Sequence, residues 1–269
     1  MNQEREKELI PFTCTWGRLS YTLTEEEERI FLTPLAGSTP VKYNLFSFEV
    51  PNKKPQTPED WQKIPHLHLA RLNLRRKEEI LGFVNTWGLL GLWELHHKKR
   101  SVFDVHHWIF SFRTEDFFNP AFGGEGLKDY LHQFREPLEA FITAAEEFQR
   151  FVGTAKERVA YTEGKGVSTA LLGDVDEHIF NRYLANCHPV AYFGKGEWKA
   201  SWYVPSLLHA CYLLTWLDWC ALRQYRWCEH SPCSRLFVPT RPDQQYCSDY
   251  CQNNAARLRH YYRKKETGR

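Results

Sequence analysis

The sequence has little of what marks a secreted or membrane-spanning chain. Its start, MNQEREKELIPF, mixes acids with bases and offers no apolar core of signal-peptide length. The most hydrophobic run, Leu207 to Leu222, is too short to cross a bilayer and is interrupted by His209 and Asp218. These absences lead to the expectation of a soluble, cytoplasmic protein. No repeat or low-complexity tract is visible, and methionine occurs once. What is present is 42% hydrophobic and 15% aromatic residues, with ten Trp, the composition of a folded protein with an aromatic-rich interior. At 269 residues the chain suits one large domain with a small appendage, or two modest domains.

Strong net charge is also lacking, since the total is +2, but the charge is unevenly placed. From Leu222 onward there are ten Lys/Arg against four Asp/Glu, a net of +6, leaving 25 against 29, a net of −4, in the first 221 residues. A basic end on an acidic body points to an anionic partner, although a membrane surface or simple solubility fits as well.

Two stretches near the start, CTWGRLSYTL and VKYNLFSFEV, are rich in aromatic and β-branched residues and read as strands, with Gly37, Ser38 and Pro40 between them. Pro51 to Pro65 is polar and proline-bearing and reads as a surface connection. Helical spacing follows over Arg75 to Trp87, with Ile80, Phe83, Val84 and Trp87 on one face and a stop at Gly88. It returns over Gly126 to Val152, where Leu127, Tyr130, Leu131, Phe134, Leu138, Phe141 and Ile142 form a stripe. A third helix is expected from Thr169 to Ala185 and a hairpin from Ala191 to Val204. Pro205 suits the first position of an apolar helix, Ser206 to about Tyr225, which is expected to be buried and central. The fold class is therefore α+β, with N-terminal strands followed by a mainly helical body and a small C-terminal treble-clef-like zinc finger.

The finger is expected from cysteine spacing. Cys14, Cys187, Cys211 and Cys220 are scattered and read as ordinary thiols, whereas Cys228-x4-Cys233 and Cys247-x3-Cys251 form two close pairs thirteen residues apart. Two thiolate pairs on tight turns close a tetrahedron around a metal, and one structural Zn²⁺ is the expected ion. Disulfides or idle thiols are the alternatives; the first is disfavoured by the lack of secretion signals and the second leaves the paired spacing unexplained. His230 reads as a bystander inside the knuckle. Leu236 to Val238 is expected to pair with a returning strand at Gln245 to Cys247, with Ser248 as N-cap of the last helix and Cys251 in its first turn. No Gly/Ser linker separates the preceding helix from Cys228, so the reading expects a ligand, a small-molecule effector or a partner of the body to reorient the finger.

At 100° per residue, Cys251, Ala255, Leu258 and Tyr262 of the last helix share a stripe expected to face metal and hairpin. Asn253, Arg257, His260 and Lys264 lie opposite, flanked by Arg259 and Arg263. That cationic ridge suits phosphate and base-edge contacts, so Asn253, Arg257, Arg259, His260, Arg263 and Lys264 are the candidate nucleic-acid-binding residues. A finger that docks a protein or RNA, or a merely solvated face, remains open.

The segments C-x4-C-x-R-L-F-V at Cys228 to Val238 and Y-C-S-x-x-C-x-N at Tyr246 to Asn253 resemble those of bacterial CGNR zinc-finger proteins, whose finger follows an ABATE-type domain. ILGFVNTWGLLGL at Ile80 to Leu92 and SLLHACYLLTWLD at Ser206 to Asp218 are similar to upstream segments of that family. The resemblance implies a zinc-dependent, DNA-binding transcription regulator, with an ABATE-like body over residues 1–222 and the finger over residues 223–269. The four cysteines would ligate the metal. The family signature Cys-Gly-Asn-Arg is here Cys251-Gln252-Asn253-Asn254, so no role of the signature arginine carries over.

Enzyme chemistry has little support. His66 and His68, His96 and His97, or His106 and His107 with Asp104 or Glu94 lack the i, i+4 spacing of a helical zinc site. GKGVST at Gly164 to Thr169 lacks the preceding glycine of a phosphate loop, and FGGEG at Phe122 to Gly126 is a weak anion cradle. No nucleophile and base arrangement is evident, so no catalytic residue is expected.

Overall fold

The computed structural model describes residues 15–39, 41–44, 53–92, 94–95, 98–101, 132, 134–162, 181–194, 197–220, 225–233 and 235–266. The chain divides into two compact units, each drawn from three stretches. Unit 1 comprises Met1–Ser47, Asn73–Glu146 and Asp174–Leu213, and unit 2 comprises Phe48–Leu72, Glu147–Gly173 and Leu214–Arg269. The cysteine-bearing segment falls in the same unit as Phe48–Leu72 and Glu147–Gly173.

In unit 1, β1 (Thr15–Arg18) pairs antiparallel with β4 (Val41–Asn44). A second sheet has the order β2-β3-β7-β5-β6, formed by β2 (Tyr21–Glu26), β3 (Arg29–Pro34), β5 (Glu94–Leu95), β6 (Lys98–Ser101) and β7 (Phe134–Pro137). The turn joining β2 to β3 places Glu27 and Glu28 at φ 49 and 65. Two consecutive positive φ values match the twist of a two-residue hairpin, a conformation usually given to Asn-Gly. The inner residues Phe31 and Leu32 are fully buried.

Helix α2 (Lys77–Trp87) has the expected extent to within two residues, and the expected Ile80, Phe83, Val84 and Trp87 are its buried residues. It ends at Gly88, whose φ of 100 suits a residue without Cβ. Asn85 on this helix accepts the Tyr21 N–H at 2.8 Å and donates to the Tyr21 carbonyl at 3.2 Å, so its amide completes the backbone of β2 as a neighbouring strand would. The Phe83-Val84-Asn85-Thr86 segment thus has a packing role.

One expected helix is corrected. Phe134 to Pro137 is strand β7, buried throughout, and helix α3 (Leu138–Thr162) starts only after Pro137. Proline disfavours helical geometry in the residue before it, which sets that boundary. Leu127, Tyr130 and Leu131 lie outside the described residues, as does the expected third helix except for a helical turn at 181–184. The expected hairpin is present as β8 (His188–Gly194) and β9 (Glu197–Tyr203). Strands therefore recur between helices, so the expected order of strands first and helices after does not hold, although the class is α+β. Helix α4 (Leu207–Cys220) is preceded by Ser206, whose Oγ accepts the His209 N–H at 3.2 Å. Its cap is thus Ser206, and Pro205 lies outside the helix, not at its first position.

In unit 2 the expected surface connection is at the surface only in part, since Lys53, Gln56, Thr57, Glu59 and Lys63 are exposed. Pro55, Pro58 and Trp61 are buried, the last two in a short 3-10 helix (Pro58–Lys63) that leads into α1 (Pro65–Leu69). Gln149 donates its amide to the carbonyls of Leu69 and Leu72 at 2.9 Å each and so closes the end of α1. Phe151, Trp219 and Tyr225 form a chain of ring contacts. Beneath it, Asp218 Oδ2 meets His66 Nε2 and the Tyr225 hydroxyl at 2.9 Å each. Among the described residues, no helix is long and apolar enough to cross a membrane.

Candidate metal centre

Strand β10 (Arg226–Trp227) leads to the first cysteine pair, and β11 (Leu236–Phe237) returns antiparallel to it, pairing Arg226 with Phe237 and Trp227 with Leu236. This corrects the expected pairing of Leu236–Val238 with Gln245–Cys247. The knuckle closes where the Cys233 N–H meets the His230 carbonyl at 2.7 Å, a tight turn that forces the chain back before β11. The second pair is positioned by a buried glutamine. Gln244 Oε1 accepts from the Thr240 N–H and hydroxyl at 2.8 and 3.0 Å, and its amide donates to the Tyr246 carbonyl at 2.8 Å. Cys247 then points inward and Cys251 lies in the first turn of α5 (Asp249–Glu266), capped by Ser248 as expected, with the Cys251 N–H 3.2 Å from Ser248 Oγ.

The four sulfurs of Cys228, Cys233, Cys247 and Cys251 lie within 4.8 Å of one another, close enough to hold one metal ion. Sγ of Cys247 is 3.6 Å from that of Cys233 and 3.7 Å from that of Cys251. A tetrahedron with metal–sulfur bonds of about 2.3 Å has edges of about 3.8 Å, so the spacing fits. It far exceeds the sulfur–sulfur bond of about 2.05 Å, and all four cysteines are free thiols. The Cys247 N–H also points at Cys228 Sγ, 3.4 Å away, a donor suited to a thiolate. Hydrogen bonds from the thiols of Cys233 and Cys247 hold Cys228 well below the ordinary thiol range, and the same contacts with Cys228 push Cys233 and Cys247 up. The contacts thus favour one thiolate, at Cys228, among sulfurs close enough to share a metal ion.

Side chains far away in sequence complete the surroundings. The Trp61 indole N–H donates to the Cys247 carbonyl at 3.0 Å, and neither is exposed. Lys54 forms an ion pair with Asp249 at 3.1 Å and hydrogen-bonds Gln252, while Gln56 donates to Asp249 Oδ2 at 3.1 Å. The Pro55 and Gln56 carbonyls accept the N–H groups of Asp249 and Tyr250 at 3.1 and 3.2 Å. The donors at the start of α5, which a helix cannot pair internally, are thereby met. Sequence reading missed Lys54, Gln56 and Trp61; the buried spacing of Trp61, Ile64, Leu67 and Leu69 was the available signal.

The candidate nucleic-acid residues Asn253, Arg257, Arg259, His260, Arg263 and Lys264 all lie on α5 and are exposed. The stripe opposite them is not a packed face. Cys251 is buried and Ala255 half-buried, but Leu258 and Tyr262 are 40% and 57% exposed. The small knuckle covers only the first turns of an 18-residue helix, so from Ala256 to Lys265 α5 is exposed on every side.

Of the other weighed residues, His66 joins Asp218, and His68 is desolvated beside Arg71 and Arg235 and pushed down to about 3. Neither belongs to a metal-binding group; among the described residues, the four cysteines are the one such cluster of three or more His, Cys, Asp or Glu. The backbone of Glu94 lies in β5, while His96, His97, Asp104, His106, His107 and the two glycine-bearing segments lie outside the described residues. Among the remaining thiols, burial raises that of Cys211, Cys187 is half-buried and Cys220 is exposed. No family model, curated protein or solved structure matches the chain.

Proposed function

We propose that the four cysteines hold one structural Zn²⁺ in a treble-clef-like finger and that α5 carries this finger onto DNA, as in a CGNR-type transcription regulator without enzymatic activity. All four coordination positions would be filled by protein sulfur, leaving none for a reacting water, so the ion's contribution is to folding. The observation that carries the reading is the exposed end of α5. Ala256 to Lys265 spans about 15 Å, bears Arg257, Arg259, Arg263, Lys264 and Lys265, and contains no Asp or Glu. Arginine and lysine meet phosphates there, Asn253 and Arg257 suit base edges, and Tyr261 offers an aromatic surface.

The test is fluorescence anisotropy of the zinc-loaded protein with a labelled random-sequence DNA duplex over 50 to 200 mM salt. With about four to six phosphate contacts, log K should fall against log salt with a slope of about −4 to −5. Changing Arg257, Arg263 and Lys264 together to Glu should abolish binding. Affinity insensitive to salt, or surviving that triple change, overturns the reading. The exposure of Leu258, Tyr261 and Tyr262 favours a second reading, a protein or RNA partner, which the same protein with labelled RNA and with crosslinked cell extract separates.

A further inference from the structure

The first turn of α5 is fixed by the Pro55 and Gln56 carbonyls, so the turn of the helix sets where each later side chain lies around its axis. Cys251 is fully buried and marks the side that faces the cysteine cluster. His260 lies about 180° from it, with Asn253 and Ala256 within about 40° of His260. Arg257 and Lys264 lie about 40 to 60° to one side of that centre, and Arg263 and Arg259 about 60 to 100° to the other. All seven of these residues are exposed, and Gln252 to Lys265 contains no Asp or Glu.

The outer surface of α5 is thus three rows: a centre of Asn253, Ala256 and His260 between two rows of positive charge. Phosphate contact along one strand needs only one such row. Two cationic rows about 100 to 160° apart match a target with negative charge along two walls and polar groups between them. The major groove of B-form DNA is such a target. It is about 12 Å wide, admits a helix of about 10 to 12 Å with its side chains, has a phosphate strand on each side and displays base edges on its floor.

We propose that α5 lies lengthwise in the major groove of a B-form duplex, with Arg257 and Lys264 on one strand's phosphates, Arg259 and Arg263 on the other's, and Asn253 and Ala256 setting sequence preference on the floor. An asparagine amide pairs with the N6 and N7 edge of adenine, and an alanine methyl meets the thymine methyl, so this floor selects A·T pairs. Asn253 to His260 spans about 10 Å, or about three base-pair steps. Leu258 and Tyr262 lie within about 20° of Cys251 and turn away from the floor. This placement rests on the DNA reading above and adds to it the groove, the strand each row meets and the base preference.

The experiment is fluorescence anisotropy of the zinc-loaded full chain on duplexes selected by the parent protein from a randomised pool. Arg259→Gln with Arg263→Gln, and separately Arg257→Gln with Lys264→Gln, should each lower the magnitude of the salt slope by about 2, since each pair makes two phosphate contacts. Glutamine is a good helix former, and circular dichroism checks that α5 persists in the variants. The selected sequences should contain an A·T pair preferred about tenfold over G·C, and Asn253→Ala should lose that preference with the slope unchanged. An A-form RNA duplex should bind about tenfold more weakly, because its major groove is too deep and narrow for the side chains to read. A slope that ignores either pair, selected sites with no A·T preference, a preference that survives Asn253→Ala, or equal binding to the RNA duplex overturns the proposal. A parent protein that binds no duplex DNA at all overturns the DNA reading itself, whereas salt-dependent binding that ignores one arginine row overturns only the placement in the groove.

Discussion

Unit 1 buries a lone carboxyl group, whereas unit 2 gathers four thiols, three of them buried and that of Cys233 half-buried, close enough to hold one metal ion. Glu136 is fully buried, with Oε2 accepting from Gly91 and Leu92 at 2.9 and 3.2 Å and Oε1 without a partner. No cation among the described groups offsets it, and burial pushes it up to about 7. Among the described groups none supplies a positive charge, so a proton is what neutralises it. Around the cysteines, by contrast, the Cys247 N–H points at Cys228 Sγ, the Trp61 indole N–H meets the Cys247 carbonyl, and the four sulfurs lie close enough to hold one metal ion. The difference teaches that one unit holds a buried group whose charge follows pH, while the other holds a cluster of thiols with the spacing of a metal site.

The largest break in that comparison should come from removing metal. On the proposed metal reading, a chelator in excess should unfold the cysteine-bearing part of unit 2, with loss of the α5 contribution to far-ultraviolet circular dichroism and a lower Tm, because a core this small would depend on a bound ion. Retention of the full signal without metal would mean that Trp61 and the Pro55–Gln56 carbonyls suffice.

Next in size is the pH response of unit 1. The folded pKa of Glu136, about 7, exceeds its ordinary value of 4.5, so the native state binds a proton that the unfolded state has released between these limits. Stability should therefore fall as pH rises from 4.5 to about 7, by about 2 to 3 kcal/mol. Glu136→Gln should flatten that decline in urea midpoints measured across the window. An unchanged slope would remove Glu136 as its source.

The smallest effect should be Ser248→Ala, which leaves the Cys251 N–H without its acceptor. About 1 kcal/mol is expected from thermal melts of the metal-loaded protein. A change within error would assign the start of α5 to the Pro55 and Gln56 carbonyls alone.

The parts of this arrangement that were legible in sequence are those set by local spacing. The paired cysteines, the Ser248 cap, the buried face of α2 and the β8–β9 hairpin all follow from neighbours a few positions apart. The β2–β3 hairpin was hidden because its turn is Glu27-Glu28, two residues with no turn signature, held at positive φ by the strands. Strand β7 was hidden because Phe134 and Leu138 continue a helical spacing across Pro137. The burial of Pro55, Pro58 and Trp61 was hidden for a different reason: polar and proline-rich composition says surface, and only long-range packing buries these three. The exposure of Leu258 and Tyr262 likewise depends on how far the knuckle reaches, which periodicity does not encode.

The capture of the α5 amino end by Pro55 and Gln56 bears on the order of synthesis. Trp61 and Cys247 are 186 residues apart, and Gln56 and Asp249 are 193 apart. On the ribosome, the segment from Pro55 to Trp61 emerges with its carbonyls and indole unmatched and must wait for the 186 to 193 residues that separate it from its partners. Closing so long a loop is slow and is rewarded only once the last cysteine arrives. Completion of this unit is thus a late event, and nascent chains stalled before Cys251 carry an early segment whose assigned contacts do not yet exist.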